Sequence, residues 1–595
     1  MKKLFILIIL IATSFAYNDK LSQKIINTLD KVYNKKILFK ENKTKQIDLT
    51  LLLFEAMRNW DDITPEAKNT LAKYKLNRPS LPYNYDSPSG KFKVYYTNTG
   101  NDAVSPTDAN GNNVPDYVEY VAKILDTVYT VYQSMGYVMP YPVYPNKSTP
   151  TKFMVYLSGT EAGDGVYGYV QPDIKIGDNP NSTNQVEKNA WSSYMVLRNE
   201  YVSFVGGNAT EADIALKVTC AHEFMHAVQF AVAETMDIYF MEMAAAWAEQ
   251  LVYPNMYDNI QYTMMFSNPD IPLDYDDDET DIETYSGHWY STWYFLKYIT
   301  TQYGNNLVPA IYNNHINKDT YTSFNIELAR YSTNYKDAYF NTAITLGIMN
   351  NNSAISNNYY FSKASDYLNE LKKYGIYNVK YEKSHSYNGI NDINFNFASS
   401  NKILMRFGTD YHRITSTSNF SLILTSNLLD SLKVALIQAD KKTLPTKMKI
   451  TIANKTDNKY VINVDNASEY SENILVVSNI SKIADTISIP YSFTITKPVS
   501  NENIYKTVYD YKLEQNYPNP FNPTTNIIYS LPENSVVTIK VYNILGKEVA
   551  ELYNGSQKAG KHIIKYDASN LPTGIYLVKL DSKFGTRFIK MNLIK

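Results

Sequence analysis

The amino-acid sequence predicts a multidomain protein in which an α+β domain is followed by all-β sandwich domains. At 595 residues the chain is too long for one compact core. Up to about residue 376, strand patterns such as FKVYYT and TKFMVYLS alternate with apolar runs of helical period. Beyond residue 385 the helical period disappears, and short strands such as FSLILTS and KMKITIAN are separated by Asn, Asp and Ser.

The predicted domain boundaries follow these changes of pattern. Pro79, Pro82 and Pro88 mark a linker before the α+β domain, and the run KPVSNENIYKT separates two β modules. The predicted segments are 1–16, 17–90, 91–376, 385–498 and 508–595. In that order they are a leader peptide, a helical region, the α+β domain, a β-sandwich and a second β module.

Composition and charge exclude several classes of protein. Hydrophobic residues make up 44% of the chain and aromatic residues 14%, which is typical of globular folding. The formal net charge is −2, so neither a nucleic acid nor an anionic membrane surface is predicted as a partner. Cys220 is the one cysteine, which excludes an intrachain disulfide and a four-thiolate metal site.

The first residues have the pattern of a secretory signal peptide. Lys2 and Lys3 precede an apolar run that ends near Ala12, and Ser14 and Ala16 are the small residues expected before a cut after Ala16. This run is too short to span a membrane comfortably, and no later run of about 18 apolar residues occurs. The sequence therefore predicts export and no transmembrane segment in the mature chain.

Residues 17–90 are predicted to be helical. LSQKIINTLDKVYNK and IDLTLLLFEAMRNW place apolar residues three and four positions apart. Thr64-Pro65-Glu66 is a good helix start, because Pro suits the first helical position. The sequence leaves open whether this region is a propeptide that is removed or a helical subdomain that stays.

The stretch KVTCAHEFMHAVQF carries the strongest chemical signal. On a helix, the four-residue spacing of His222 and His226 brings both imidazoles to one face, where they can reach a single metal ion. Glu223 lies one residue round the helix, where it can take a proton from water without being a ligand. The H-E-x-x-H pattern therefore predicts half of a zinc site. The alternative is a buried helix with two hydrogen-bonded histidines.

A third ligand is suggested by the stretch YFMEMAAAWAEQLVYP. It resembles the second zinc-binding helix of the gluzincins, the thermolysin and aminopeptidase class. The resemblance implies that Glu242 is the third zinc ligand, Ala245 the small packing residue and Glu249 the later acid. Seven residues are nearly two helical turns, so Glu242 and Glu249 share a face. Glu249 is then either a group that orients a ligand histidine or an ordinary polar helix residue.

Roughly residues 91–300 resemble a group of secreted bacterial metallopeptidases. The resemblance rests on YYTNTGNDAV, D-x-N-x-N-x-x-P-D-Y-V-E and AHEFMHAVQF. It implies a zincin-like peptidase fold for residues 91–376. The sequence departs from the gluzincins in a shorter spacing to Glu242 and in lacking a segment like G-A-M-E-N. Since that segment reads a free amino terminus in the aminopeptidases, its absence favours an endopeptidase.

The predicted chemistry is hydrolysis of a peptide bond by water activated on zinc, with Glu223 as the general base. An electrophilic group is then needed for the oxyanion. Because gluzincins place a Tyr or His there, Tyr285 and His288 in ETYSGHWYSTWYFL are candidates, with aromatic core packing as the alternative. The strand SYMVLRNEYVSF is either an edge strand that pairs with an extended substrate or an inner strand.

The stretch DANGNNVPDYVE fits a calcium loop position by position. The oxygen donors at loop positions 1, 3, 5, 7, 9 and 12 are Asp108, Asn110, Asn112, the Val114 carbonyl, Asp116 and Glu119. Asn113 stands at position 6, where Gly is usual, and Asn is the next most tolerant of a left-handed turn. The alternative to a structural Ca²⁺ site is an Asx-rich turn that caps the following helix.

Residues 508–595 resemble the C-terminal sorting domain of type IX secretion cargo. The resemblance rests on NYPNPFNPTT, VYNILGKEV, AGKH, LPTGIYLVKL and FIKMNLIK. It implies export through the signal peptide, crossing of an outer membrane by the type IX secretion machinery, and a secreted or cell-surface location. A carbohydrate-binding module is the alternative.

Two functions from different classes follow from these features. The first is a secreted zinc metalloendopeptidase, a hydrolase that acts on a protein or peptide substrate with catalytic Zn²⁺ and structural Ca²⁺. The second is a non-catalytic surface adhesin built on a peptidase-like scaffold, with the β modules responsible for recognition. An intact Glu223 favours the first, because a binding scaffold has no need of a general base.

Overall fold

The computed structural model describes residues 18–33, 49–74, 78–143, 152–163, 165–183, 185–275, 288–356, 358–396, 404–456, 458–481, 489–498, 511–558 and 560–595. The predicted signal peptide, 1–16, lies outside these residues. The described chain forms two compact units. Residues up to 418, with those of 426–452 and 466–492, belong to the first unit, and those of 419–425, 453–465 and 493–595 to the second.

Three helices open the first unit: α1 (Asp19–Tyr33), α2 (Thr50–Arg58) and α3 (Pro65–Lys73). The α3 helix begins where the sequence predicts, with Pro65 in its first turn and the Thr64 hydroxyl accepting from the Ala67 amide at 3.2 Å. The three helices share one apolar cluster, which also includes Tyr156 and Tyr194. Residues 18–33 and 49–74 therefore pack against one face of the sheet that follows.

A five-stranded sheet forms the centre of the first unit. Its strands are β1 (Tyr83–Asp86), β2 (Phe92–Tyr96), β3 (Phe153–Leu157), β4 (Gly168–Gly177) and β5 (Ala190–Leu197), in the order β1-β2-β3-β5-β4. The inner strands β2, β3 and β5 are parallel, and β1 and β4 pair antiparallel to their neighbours. The SYMVLRNEYVSF strand is thus β5, an inner strand, and the edge beside it is β4.

Helices cover the other face of this sheet and continue beyond it. The bounds are α4 (Asp116–Ser134), α5 (Gly159–Ala162), α6 (Ala209–Phe230), α7 (Ile238–Val252), α8 (Met264–Ser267), α9 (His288–Ser291), α10 (Trp293–Tyr303), α11 (Leu307–His315), α12 (Thr320–Leu328), α13 (Tyr335–Ile348) and α14 (Ala364–Lys373). From Thr219 to Phe230 every residue of α6 is buried. A helix that is apolar on all sides belongs in the interior, which places α6 at the centre of the core.

A second sheet of the first unit joins the same core. The next strands along the chain are β6 (Lys383–Tyr387), β7 (Ile393–Asn396), β8 (Thr409–Ser416), β9 (Phe420–Thr425), β10 (Leu432–Ala439), β11 (Met448–Ile452), β12 (Asn454–Thr456), β13 (Lys459–Val464), β14 (Glu472–Asn479) and β15 (Ser492–Thr496). Five of them form a sheet in the order β11-β10-β14-β8-β6. The Tyr411 hydroxyl of β8 donates to the Ala343 carbonyl of α13 at 2.7 Å, and Ile437 and Val476 lie in the apolar cluster of the first unit. The strands predicted over 385–498 are therefore divided between the two units.

The second unit consists of strands. β12, β13, β9 and β15 are neighbours in that order. The C-terminal module adds β16 (Lys512–Leu513), β17 (Thr524–Leu531), β18 (Ser535–Asn543), β19 (Glu548–Gln557), β20 (Gly560–Asp567), β21 (Gly574–Ser582) and β22 (Gly585–Leu593). Its two sheets, β16-β17-β20 and β19-β18-β21-β22, share one apolar core. The predicted multidomain chain of mixed α and β structure with several β-sheets is confirmed.

Candidate metal centre

Helix α6 carries the H-E-x-x-H residues on its buried half. The helix begins at an Asn208 cap, whose side chain accepts from the amides of Thr210 and Glu211. His222 and His226 are one turn apart, with ring centroids 5.0 Å from each other. Both are at least 96% buried, since His222 is 4% exposed and His226 0%. Two imidazoles in a dry interior need partners for their ring nitrogens, and these come from α7 and from Gln229 on α6 itself.

Helix α7 brings Glu242 against both histidines. The Nε2 atom of His222 lies 3.2 Å from one Glu242 carboxylate oxygen, and the Nε2 atom of His226 lies 3.6 Å from the other. One ligand atom from each of the three side chains fits within 4.8 Å of the others. In the described part of the chain, no other group of three or more His, Cys, Asp or Glu residues meets this spacing.

The far side of each ring is held by a second group. His222 Nδ1 lies 2.9 Å from Glu249 Oε1, and His226 Nδ1 lies 2.8 Å from Gln229 Oε1. A carboxylate oxygen and an amide oxygen both accept, so each histidine in its neutral form carries its proton on Nδ1 and has its lone pair on Nε2, the nitrogen nearest Glu242. This is the arrangement that orients metal-binding histidines.

The carboxylates of this cluster fit a cation. Glu242 is fully buried, and within the described residues neither of its oxygens receives a hydrogen bond and no lysine or arginine pairs with it. Burial raises the pKa of Glu249 to about 7, although His222 opposes this. Burial lowers the pKa of His222, but the nearby carboxylates of Glu242 and Glu249 raise it further than burial lowers it. Two nitrogen lone pairs and a buried carboxylate are a suitable donor set for Zn²⁺.

Glu223, the candidate general base, contacts a residue far away in the sequence. Its Oε2 atom accepts a hydrogen bond of 2.8 Å from the Thr50 hydroxyl on α2, and both side chains are buried. A small opening beside Glu223 is lined by Tyr167, Thr219 and Tyr262 together with the cluster residues His222 and Glu249. Glu223 therefore shares this small cavity with His222 and Glu249, whereas His226 and Glu242 do not line it.

The oxyanion candidates have different outcomes. Tyr285 lies outside the described residues. His288 is buried, and its Nε2 proton donates to the Pro272 carbonyl at 2.5 Å; burial lowers its pKa to about 4. This hydrogen bond does not link His288 to the histidine–glutamate cluster. Two residues later, Tyr290 stacks on the His222 ring with centroids 5.5 Å apart and planes inclined by 21°.

Two further residues at the cluster were missed at the sequence level. Gln229 is three residues after His226, one turn along the same helix, and this i, i+3 spacing was the available signal. Tyr290 lies in an aromatic-rich tract that core packing explains equally well, so the sequence contained no signal for it.

Cys220 is fully buried next to the cluster, and burial raises the pKa of its thiol. It is a packed helix residue rather than a nucleophile.

The predicted calcium loop forms an exposed turn before α4. Asn113 adopts the left-handed conformation expected at position 6, with φ of 65°. Asp108 accepts from the amides of Gly111, Asn112 and Asn113. The side-chain amides of Asn110 and Asn112 both donate to Glu119, and Asp116 accepts from the Ala109 amide. The predicted oxygen donors, including the Val114 carbonyl, thus belong to one loop. Its carboxylates already accept hydrogen bonds from amide groups of the same loop. A Ca²⁺ site here stays a prediction.

Comparison with known families identifies the C-terminal module. Residues 515–594 match the secretion system C-terminal sorting domain. The match covers two β-sheets with a shared core, so the sequence similarity and the fold agree over the same residues. The chain is therefore cargo of the type IX secretion machinery and is exported to the cell surface. In the described residues, no helix is both long and apolar enough to cross a membrane.

Whole-chain comparisons add little. The search of curated proteins found no match. Among solved structures, β-glucuronidase 3 of Bacteroides uniformis matches at 8% identity and a TM-score of 0.11, over 29% of this chain and 25% of that one. The Endo-D glycoside hydrolase domain Spr0440 of Streptococcus pneumoniae R6 matches at 9% and 0.11, over 34% and 33%. A DUF4785 family protein (lpg0956) of Legionella pneumophila subsp. pneumophila str. Philadelphia 1 matches at 9% and 0.12, over 34% and 64%. TM-scores this low support no inference about function.

Proposed function

We propose that this exported chain is a zinc-dependent metalloendopeptidase with a zincin-like catalytic domain. The observation that carries the proposal is the buried meeting of His222, His226 and Glu242, with one ligand atom from each within 4.8 Å. Glu249 and Gln229 support it, because each holds the Nδ1 proton of one histidine and leaves Nε2 for a metal. An adhesin would need neither these orienting groups nor Glu223.

Each residue has a defined role in this proposal. His222, His226 and Glu242 hold Zn²⁺, which acts as a Lewis acid on water and on the peptide carbonyl when bound. Glu223 takes a proton from the attacking water and returns it to the leaving amine. Glu249 and Gln229 position the two histidine rings.

Metal content and hydrolysis in the mature chain, residues 17–595, test the proposal together. We expect about one zinc per chain, with loss of zinc in Glu242→Gln. Glu187→Gln is the matched control, because Glu187 is equally buried but accepts from Asn179 and Gln185 instead. Glu223→Gln should keep zinc and lose casein hydrolysis by about 10²–10⁴-fold, the usual contribution of a general base. A parent chain without zinc, or a Glu223→Gln chain that cleaves as fast as the parent, would contradict the proposal.

A further inference from the structure

The first turn of α2 lies directly on the candidate general base. Thr50 is fully buried, and its hydroxyl donates to Glu223 Oε2 at 2.8 Å. A base that activates water needs that water within about 2.6–3.2 Å of its oxygen. The Thr50 hydroxyl therefore donates to Glu223 Oε2 at the distance at which the attacking water would donate to it.

Thr50 also occupies a backbone donor of the sheet edge. The Val170 amide donates to the Thr50 hydroxyl at 3.0 Å. Val170 lies on β4, the edge strand next to β5. An extended peptide that adds to this edge needs backbone amides of the edge strand as donors. One hydroxyl thus blocks both the base and a main-chain donor beside it.

The rest of α2 is anchored along the same path. Phe54 is fully buried and stacks on Phe230, the last residue of α6, with centroids 4.2 Å apart. Arg58 donates to the Glu234 carbonyl at 3.2 Å. Both contacts are made to residues that lie between His226 and Glu242 in the sequence, so the helix is held by apolar packing and a hydrogen bond in addition to the Thr50 contacts.

We propose that the described residues 18–33 and 49–74 belong to an inhibitory segment of this chain, and that the Thr50 hydroxyl keeps the metal centre latent by occupying Glu223 and the Val170 amide. The inference rests on the proposed peptidase function. It assigns one of the two alternatives for the helical region, a propeptide rather than a permanent subdomain. Activity then requires α2 to move away from Glu223 and Val170.

The test uses zinc-loaded mature chains that carry Thr50→Val or Phe54→Ala. Thr50→Val keeps the shape of the side chain and removes both hydrogen bonds, and Phe54→Ala removes the aromatic stack. Thr70→Val is the matched control, because the Thr70 hydroxyl donates to the Glu66 carbonyl within α3, and this hydrogen bond is exposed to solvent. The readouts are the affinity for a peptide hydroxamate by calorimetry, the rate of casein hydrolysis, and deuterium uptake of residues 50–58.

We expect both variants to bind the hydroxamate and to cleave casein at least about tenfold better than the parent, because Thr50→Val removes the hydrogen bonds and Phe54→Ala the aromatic packing that hold α2 over Glu223. Thr70→Val should match the parent. If the parent binds the hydroxamate and cleaves casein as well as Thr50→Val and Phe54→Ala do, and cleavage still requires Glu223, then the latency proposal is wrong and the peptidase function stands. Increased deuterium uptake without improved hydroxamate binding also overturns latency. If the Phe54→Ala chain cleaves equally well with Glu223→Gln, the proposed function fails instead.

Discussion

Replacing Gln229 by Leu should weaken zinc binding although none of the proposed ligands is changed. Gln229 is fully buried and forms three hydrogen bonds. Its Oε1 accepts from His226 Nδ1 at 2.8 Å, and its Nε2 donates to the Met241 carbonyl at 2.9 Å and to the Tyr312 hydroxyl at 2.8 Å. Because both amide protons are used, the oxygen must face His226, and this fixes the tautomer that leaves Nε2 for the metal.

Leu has nearly the volume of Gln but offers His226 no acceptor. Loss of such an orienting partner lowers metal affinity about 10–100-fold, which corresponds to about 1.4–2.7 kcal/mol. The measurement is a zinc competition titration against a chromophoric chelator, with the parent and variant chains at the same pH. The affinity ratio is the quantity of interest, because a loss of overall stability alone does not change it.

Gln250→Leu is the matched control for this experiment. Gln250 is a buried amide on α7 that donates to Asn259 Oδ1 at 3.1 Å and accepts from the Tyr367 hydroxyl, so it loses comparable bonds away from the histidines. We expect its zinc affinity to stay within about twofold of the parent. Equal affinities for the parent, Gln229→Leu and Gln250→Leu would refute the role of Gln229.

Three further outcomes are expected. Asp108→Asn with Glu119→Gln should abolish the Ca²⁺ binding that calorimetry detects in the parent and leave the zinc content unchanged, because the loop and the histidine cluster have separate donors; a parent chain that binds no Ca²⁺ would favour the Asx-rich turn. Cys220 should resist iodoacetamide in the native chain at pH 8 and react after denaturation, because burial raises the pKa of the thiol, as mass spectrometry of the alkylated peptide can check. Deletion of the matched sorting-domain residues 515–594 should keep the protein from the cell surface, which fractionation and immunoblotting would show.

Local spacing predicted part of the metal cluster, and long-range contacts supplied the rest. The i, i+4 pair His222 and His226 follows from helix geometry. Glu242 was inferred from a resemblance, and its distances to the histidines depend on how α7 turns back on α6. Thr50 was not predictable, because it is an unremarkable residue in an apolar run and lies 173 positions before Glu223.

The fold shows the same limit. Strand patterns indicated β5 but not whether it lies inside the sheet or at its edge, since a buried edge strand and an inner strand can have similar sequences. The β-rich region after 385 was readable as strands of period two. Its division between two units was not readable, because it depends on which sheet face packs on α13. The sorting module was the most predictable part, because its motifs extend over all of its strands.

The packing of α13 on the β11-β10-β14-β8-β6 sheet has a consequence for how this protein matures. β14 ends at Asn479, so the apolar core that includes α6 is incomplete until the chain is present to about that point. An emerging chain that stops near residue 376 lacks the strands that cover α13. The order of synthesis therefore delays completion of this core until most of the polypeptide exists, whereas α2 is present from the beginning.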